Sequence, residues 1–116
     1  MGKVRIAIAD DNERMLQLLE DIIKTDNDME VVGKAENGEA CLNIIREAQP
    51  DVVLLDIVMP KLDGLTVMEK THSDTRIRKK PAFIVITAIG QEGITEDAFN
   101  LGANYYIMKP FDNNTL

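Results

Sequence analysis

The stretch VVLLD, from Val52 to Asp56, decides the fold of this chain, because four apolar residues follow one another before a carboxylate. A strand with one face in water alternates apolar and polar residues, and this stretch does not. The unbroken run therefore predicts a strand that is buried on both faces, as in a parallel sheet covered by helices. Pro50 precedes the run and ends the helical pattern before it.

Strand-like runs alternate with helical patterns on both sides of this stretch. Strands are predicted at Val4–Ala9, Glu30–Ala35, Val52–Leu55, Ala82–Ile86 and Tyr105–Met108. Helices are predicted at Glu13–Thr25, after the capping residue Asn37, at Leu65–Thr71 and around Ala98. The polar and basic segment His72–Pro81 is predicted to be a solvated loop. This alternation predicts an α/β fold, a doubly wound five-stranded parallel sheet with helices on both faces.

Length and composition fit one domain. The chain has 116 residues, and its net charge of −7 disfavours nucleic-acid binding by this segment alone. One cysteine excludes an internal disulfide, and no apolar run has the length of a signal peptide or a membrane span. We therefore expect a cytoplasmic protein that does not bind membranes. The pattern reaches Leu116 where a fifth helix would begin, so we expect a single domain over residues 1–116, with the fifth helix truncated and apolar surface left to favour self-association.

Polar residues with related chemistry follow four of the predicted strands. They are Asp10 and Asp11 after the first strand, Asp56 after the third, Thr87 after the fourth and Lys109 after the fifth. The carboxyl ends of parallel strands meet at one edge of the sheet, where ligands bind near the point at which the strand order reverses. The sequence therefore predicts that three carboxylates, a hydroxyl and an ammonium group converge on that edge.

The three carboxylates predict a site for a divalent cation. Clustered carboxylates repel one another, and a cation relieves that repulsion. Oxygen-only ligands with retained waters are what Mg²⁺ prefers. Asp11 and Asp56 are the expected direct ligands, and Asp10 could act through a water molecule. The backbone carbonyl of Val58 could complete the protein's share of the ligands.

A phosphoryl group would bind beside the cation. Asp56 ends the most apolar strand and is held rigidly there, so it is the candidate nucleophile for an aspartyl phosphate. Phosphoryl transfer needs mainly positioning and charge neutralisation, which a hydrogen bond from Thr87 and the charge of Lys109 can supply. His72 falls in the predicted loop away from the strand ends, so no general acid or base is evident.

Each of these residues also has an ordinary structural explanation. Acidic pairs before a helix are good caps, and an aspartate before a turn is usually a turn residue. Threonine packs well in strands, and a Lys-Pro pair commonly ends a strand. A functional site is favoured because four separate strand ends carry the required groups in the required order.

The ordered set of motifs resembles the receiver domain of two-component response regulators over essentially all 116 residues. The motifs are Ala9-Asp10-Asp11-Asn12, Leu54–Pro60 with Asp63-Gly64, Ile86-Thr87-Ala88, Gly102-Ala103 and Lys109-Pro110-Phe111. The resemblance implies a flavodoxin-like (CheY-like) fold with strand order 2-1-3-4-5. It also implies that Asp56 is the phosphoacceptor for a histidine kinase or histidine phosphotransferase, with Mg²⁺ held by Asp10, Asp11 and Asp56.

The resemblance further implies a signalling switch rather than an enzyme. Thr87 and Lys109 would sense the phosphoryl group, and Tyr106 would turn inward with Thr87 to change a partner-binding face. The domain would catalyse only its own phosphorylation and a slow loss of the phosphoryl group. Val58 and Ile89 favour that slowness, because they are apolar where polar side chains can position the hydrolytic water.

A narrower resemblance lies in Thr87–Glu92 and Gly102–Asp112, which are similar to the receivers of the master sporulation transcription factors of endospore-forming Firmicutes. It implies a phosphorelay donor, a DNA-binding output domain outside this segment and a homodimer on phosphorylation. Two alternatives stay open, a stand-alone chemotaxis-type receiver that regulates a partner protein and a Mg²⁺-dependent phosphohydrolase. Such hydrolases usually carry a second aspartate two residues after the nucleophile, where this chain has Val58.

Overall fold

A five-stranded parallel sheet forms the centre of the molecule, as the sequence predicted, and its strand order 2-1-3-4-5 is the one that the resemblance to receiver domains implied. The computed structural model describes residues 2–56, 64–88 and 105–109, those from 87 onward as backbone alone. The strands are β1 (Val4–Ala9), β2 (Met29–Ala35), β3 (Val52–Asp56), β4 (Ala82–Ala88) and β5 (Tyr105–Lys109). The described helices are α1 (Glu13–Lys24), α2 (Gly38–Ala48) and α3 (Gly64–Ser73). The helix predicted around Ala98 lies outside the described residues.

Strand β3 is buried on both faces, which explains its unbroken apolar run. Leu55 belongs to the core cluster that includes Ile45 of α2, and Leu54 belongs to the cluster that includes Leu19 of α1. Fully burying one such aliphatic side chain contributes about 1.5–3 kcal/mol. Helices on opposite faces therefore hold β3 in place, and with it the carboxyl end that carries Asp56.

The ends of α2 follow the sequence signals. The Asn37 side chain caps the helix, and its oxygen accepts a hydrogen bond from the Ala40 backbone N–H at 2.9 Å. Gln49 ends the helix with a φ of 46°, in the left-handed region that satisfies terminal carbonyl groups. No helix in the described part of the chain is long and apolar enough to cross a bilayer.

The prediction that His72–Pro81 forms a solvated loop is wrong. His72 and Ser73 are the last residues of α3, and the Ser73 hydroxyl donates to the carbonyl of Glu69. Ile77 is only 1 % exposed and belongs to the core cluster on the α2 face. The segment is therefore a helix end followed by a connection that an apolar side chain fixes to the core.

Asp74 further fixes this connection to α2. Its carboxylate lies 2.9 Å from Nε of Arg46 in α2 and 2.9 Å from Nη2 of Arg76. The hydrogen bonds from Arg76, and then that from Arg46, hold the pKa of the Asp74 carboxyl well below its usual range. The basic residues of this segment thus include Arg76, whose guanidinium group forms a structural ion pair with Asp74.

Asp51 also fixes neighbouring segments to each other, at the amino ends of the strands. Its carboxylate pairs with Lys79 and accepts the backbone N–H of Arg5 in β1 at 2.8 Å. These bonds, that from Lys79 first, lower the pKa of the Asp51 carboxyl. Lys80 in turn donates from Nζ to the carbonyl of Thr71 at 2.8 Å, near the end of α3. The amino edge of the sheet is therefore fixed by charged side chains.

Acid should destabilise the protein through these carboxylates. A lowered pKa in the folded state contributes stability above the unfolded value of about 4, and that contribution is lost as the pH falls through the folded value. We expect the Tm to fall steeply below about pH 4 in wild type and less in Asp74→Asn. Thermal melts down to about pH 2 measure this, with Asp28→Asn, at an exposed carboxylate, as the control. Equal acid dependence in Asp74→Asn and wild type would contradict the assignment.

Candidate functional site

Asp10 and Asp11 lie where β1 ends and α1 begins. Asp10 is fully buried, and its backbone N–H donates to the carbonyl of Ala35 at the end of β2 at 3.0 Å. One of its carboxylate oxygens accepts the backbone N–H of Asn12 at 2.9 Å. Asp11 is exposed between these two residues. The amino end of α1 favours negative charge at this position, because its first N–H groups and its dipole point there.

Asp56 is brought beside this pair by the register of the sheet. Ala9 of β1 pairs with Leu55 of β3, so the residues that follow each of them are neighbours. Asp56 is 6 % exposed. One carboxylate oxygen from each of Asp10, Asp11 and Asp56 lies within 4.8 Å of the other two. The structure therefore brings together the three carboxylates that the sequence placed at this edge.

The chemistry of this donor set fits a small hard cation. Two like charges about 4 Å apart repel by about 4 kcal/mol at an effective dielectric constant of about 20. A divalent ion removes that repulsion, and three oxygen donors leave room for the waters and phosphate oxygens that Mg²⁺ retains. The residues present therefore fit Mg²⁺, with Asp10, Asp11 and Asp56 available to hold it.

The backbone carries the other predicted residues to the same edge. Asp56 pairs with Ile86 of β4, and the next residue, Thr87, pairs with Met108 of β5. Lys109 follows and pairs with Ala88. The strand ends of β3, β4 and β5 thus present Asp56, Thr87 and Lys109 in the predicted order.

Four further residues were named from the sequence. Tyr106 pairs with Val85 within β5, the strand in which it was predicted. Val58, the predicted carbonyl ligand, and Ile89 lie outside the described residues. His72 lies in the last turn of α3, where its ring contacts that of Phe83 at 6.1 Å between centroids. Phe83 is near the amino end of β4, so this histidine belongs to the opposite edge of the sheet from Asp56.

One residue of the site was not singled out from the sequence. The acidic pair was considered a possible cap for the following helix, but Asn12 is the cap of α1. Its side-chain oxygen accepts the backbone N–H groups of Arg14 and Met15. The signal was present, because asparagine stands directly before the first helical residue, Glu13, and is among the best N-cap residues.

Comparison with known proteins agrees with this geometry. A family model for the response regulator receiver domain matches residues 6–116. The chain belongs to the response regulator receiver family. The response regulator domain of CheB from Thermotoga maritima is 34% identical to this receiver, with a TM-score of 0.80, and the alignment covers 96% of this chain and 81% of that one. The signal receiver domain of NarL from Mycobacterium tuberculosis is 28% identical, with a TM-score of 0.89 and coverage of 99% and 90%.

A third similar structure is the CheX–CheY–BeF₃–Mg²⁺ complex from Borrelia burgdorferi, matched at 28% identity with a TM-score of 0.81. The alignment covers 95% of this receiver and 81% of that chain. Receiver domains act in the phosphorylation-based signalling of two-component systems and are not classical enzymes. They bind Mg²⁺ at an acidic pocket, and this receiver has such a cluster in Asp10, Asp11 and Asp56. They interact with histidine kinases or phosphotransfer proteins.

Proposed function

We propose that Asp56 is the phosphoacceptor of this receiver and that Asp10, Asp11, Asp56 and the Val58 carbonyl hold Mg²⁺. The observation that carries the proposal is the convergence of three carboxylates within 4.8 Å at the end of the central strand. When bound, Mg²⁺ supplies positive charge that lowers the repulsion between carboxylate and phosphoryl oxygens. The complex of CheX and CheY with BeF₃ and Mg²⁺, a structural neighbour, supports this choice of ion.

In the proposed transfer, a carboxylate oxygen of Asp56 attacks the phosphorus atom of a phosphohistidine in the donor protein. A phosphorus–oxygen bond forms, the phosphorus–nitrogen bond breaks, and the imidazole leaves with the electron pair and takes up a proton. The rigid position of Asp56 between two packed faces supports it as the attacking group, because transfer depends on alignment.

Thr87 and Lys109 are proposed to bind the phosphoryl group and thereby to respond to the phosphorylation of Asp56. A hydroxyl and an ammonium group at the ends of β4 and β5 can donate to phosphoryl oxygens on Asp56. Tyr106 is proposed to turn inward with Thr87 when they do so. Pairing between β4 and β5 supports a coupled response, because Thr87 and Lys109 lie on neighbouring hydrogen-bonded strands. Such a switch requires two states that phosphorylation stabilises to different extents.

The proposed output is control of transcription through an attached DNA-binding domain, in the manner of the sporulation regulators that the sequence resembles. The donor would then be a phosphorelay histidine phosphotransferase or a histidine kinase, and the domain would act in the cytoplasm. The alternative is a receiver that regulates a partner protein directly. The CheX–CheY complex, a structural neighbour in which a receiver lies in a complex with another protein, favours that alternative.

A homodimer is part of the same proposal. An apolar groove lies beside α1 on the sheet face that carries Ile84, and Val4 at its rim is 41 % exposed. Apolar side chains from α1 and four strands line it, including Ile22, Met29 and Val52. A groove of this composition is a candidate surface for self-association.

Incubation with two different phosphate compounds, a phosphoramidate and a phosphomonoester, would test the proposed function. Phosphoramidate contains the phosphorus–nitrogen bond of a phosphohistidine, and with Mg²⁺ it should transfer one phosphoryl group per chain, measured by intact mass. The modified protein should lose that group slowly, and a half-life of seconds would contradict this part of the proposal. A phosphomonoester such as p-nitrophenyl phosphate should not be turned over. Sustained release of p-nitrophenol would instead support the Mg²⁺-dependent phosphohydrolase.

A further inference from the structure

We infer that Asn12 is a positioning residue for Mg²⁺, because its side chain caps α1 and thereby fixes the backbone that carries Asp10 and Asp11. The inference rests on the proposed Mg²⁺ site and deepens it. It assigns a role to a side chain that acts through its neighbours rather than as one of the proposed ligands.

Asn12 is tied to the first turn of α1 by three hydrogen bonds. Its Oδ1 accepts the backbone N–H of Arg14 at 2.9 Å and that of Met15 at 3.3 Å. Its own carbonyl accepts the N–H of Leu16 at 3.1 Å. Leu16 is 5 % exposed and packs in the core cluster on the α1 face of the sheet. The cap therefore joins Asn12 to a helix that is itself fixed to the sheet.

Asn12 is tied equally closely to the carboxylate cluster. Its backbone N–H donates to Oδ1 of Asp10 at 2.9 Å, and the N–H of Asp10 donates to Ala35 of β2 at 3.0 Å. Asp11 thus lies between Asp10 and Asn12, and hydrogen bonds hold the backbone of each of these two neighbours. Asn12 itself has φ and ψ of −95° and 114°, the extended conformation of a helix cap.

Removal of the Asn12 side chain should loosen this arrangement. The N–H groups of Arg14 and Met15 would lose their protein acceptor, and the first turn of α1 would fray. The backbone of Asn12 would then be free to move away from Asp10, and Asp11 would sample more orientations. A cation would have to order these carboxylates as it binds. Residues that orient metal ligands typically contribute 10–100-fold in affinity, so we expect a loss of about tenfold in Asn12→Ala.

The test compares Mg²⁺ dissociation constants from NMR titrations of the whole 116-residue chain. Asn12→Ala should bind about tenfold more weakly than wild type. Asn12→Ser should bind nearly as tightly as wild type, because serine caps helices as well as asparagine does. Asn37→Ala is the matched control, since it removes the same kind of cap from α2, and Asn37 is not adjacent in sequence to any of the three carboxylates. Its stability should fall in the same way, but its Mg²⁺ affinity should not change.

Each outcome decides a different point. Equal Mg²⁺ affinities of wild type and Asn12→Ala would overturn the inference but not the proposed metal site. An equal loss of Mg²⁺ affinity in Asn37→Ala would also overturn it, because it would indicate a general loosening of the fold. A wild-type protein that does not bind Mg²⁺ would overturn the proposed metal site and the inference with it. If Asn12→Ala does not fold, Asn12→Gly serves instead. Glycine is accepted at caps with little loss of stability but has no side-chain oxygen, so the same loss of affinity is expected.

Discussion

Asp56→Asn should abolish phosphorylation, whereas the wild-type receiver should gain one phosphoryl group per chain from acetyl phosphate and Mg²⁺. The amide has nearly the size of the carboxylate but is neutral and a poor nucleophile, so the fold should persist while the phosphoacceptor is lost. Asp56 is one of three clustered carboxylates, and removal of its charge also relieves repulsion. The variant should therefore melt no earlier than wild type when Mg²⁺ is absent. Intact mass after incubation reports the modification, and a thermal melt reports the fold.

The matched control is Asp21→Asn, which makes the same chemical change at an exposed carboxylate on the side of α1. It should be phosphorylated to the same extent as wild type. Equal phosphorylation of Asp56→Asn and wild type would refute the assignment and move attention to Asp10 or Asp11. Modification of neither protein would leave the family membership intact but refute phosphorylation as the signal of this receiver.

Asp11→Ala should abolish the stabilisation of the fold by Mg²⁺. An ion that binds only the folded state at about 100 times its Kd stabilises it by about 2.7 kcal/mol. For a domain of this size, about 1 kcal/mol raises the Tm by about 4 °C, so wild type should gain about 11 °C. The variant should gain little or nothing. Without Mg²⁺, the Tm of Asp11→Ala should be higher than that of wild type, because the substitution removes one of three mutually repelling charges.

Glu13→Ala provides the control for this experiment. It removes the same charge two residues later, from the exposed first turn of α1, and Glu13 is outside the carboxylate cluster. Its Tm should rise with Mg²⁺ as that of wild type does. A wild-type Tm that millimolar Mg²⁺ does not move would refute the proposed metal site. Loss of the shift in Glu13→Ala would show that net charge, rather than specific ligation, is responsible.

The fold was predictable because short apolar runs alternate with helical patterns along the chain. An unbroken run such as that ending at Leu55 is too short for a buried helix and fits a strand covered on both faces, and the alternation of strands and helices then leaves few topologies. The position of Asp10 and Asp56 at one edge follows from that topology alone. The local cap at Asn12 was also readable in principle, but the acidic pair before it offered a competing candidate for the same role.

The connection between α3 and β4 was not predictable from local composition. Ile77 stands among basic residues, and its burial depends on a core that other parts of the chain build. Asp74 is held by Arg46 of α2, and Asp51 accepts a hydrogen bond from the backbone of Arg5 in β1. These contacts join residues far apart in the sequence, so polarity and periodicity within the segment do not reveal them.

The pairing of Ala9 with Leu55 also has a kinetic consequence. Asp10 and Asp56 become neighbours only after β1 and β3 have paired across a long intervening stretch of chain, and closing that stretch has an entropic cost. An ion that needs both carboxylates cannot guide the chain before that pairing has formed. We therefore expect the bound cation to slow unfolding, because it stabilises the folded state in which both carboxylates are in place, and so to prolong the lifetime of the folded receiver.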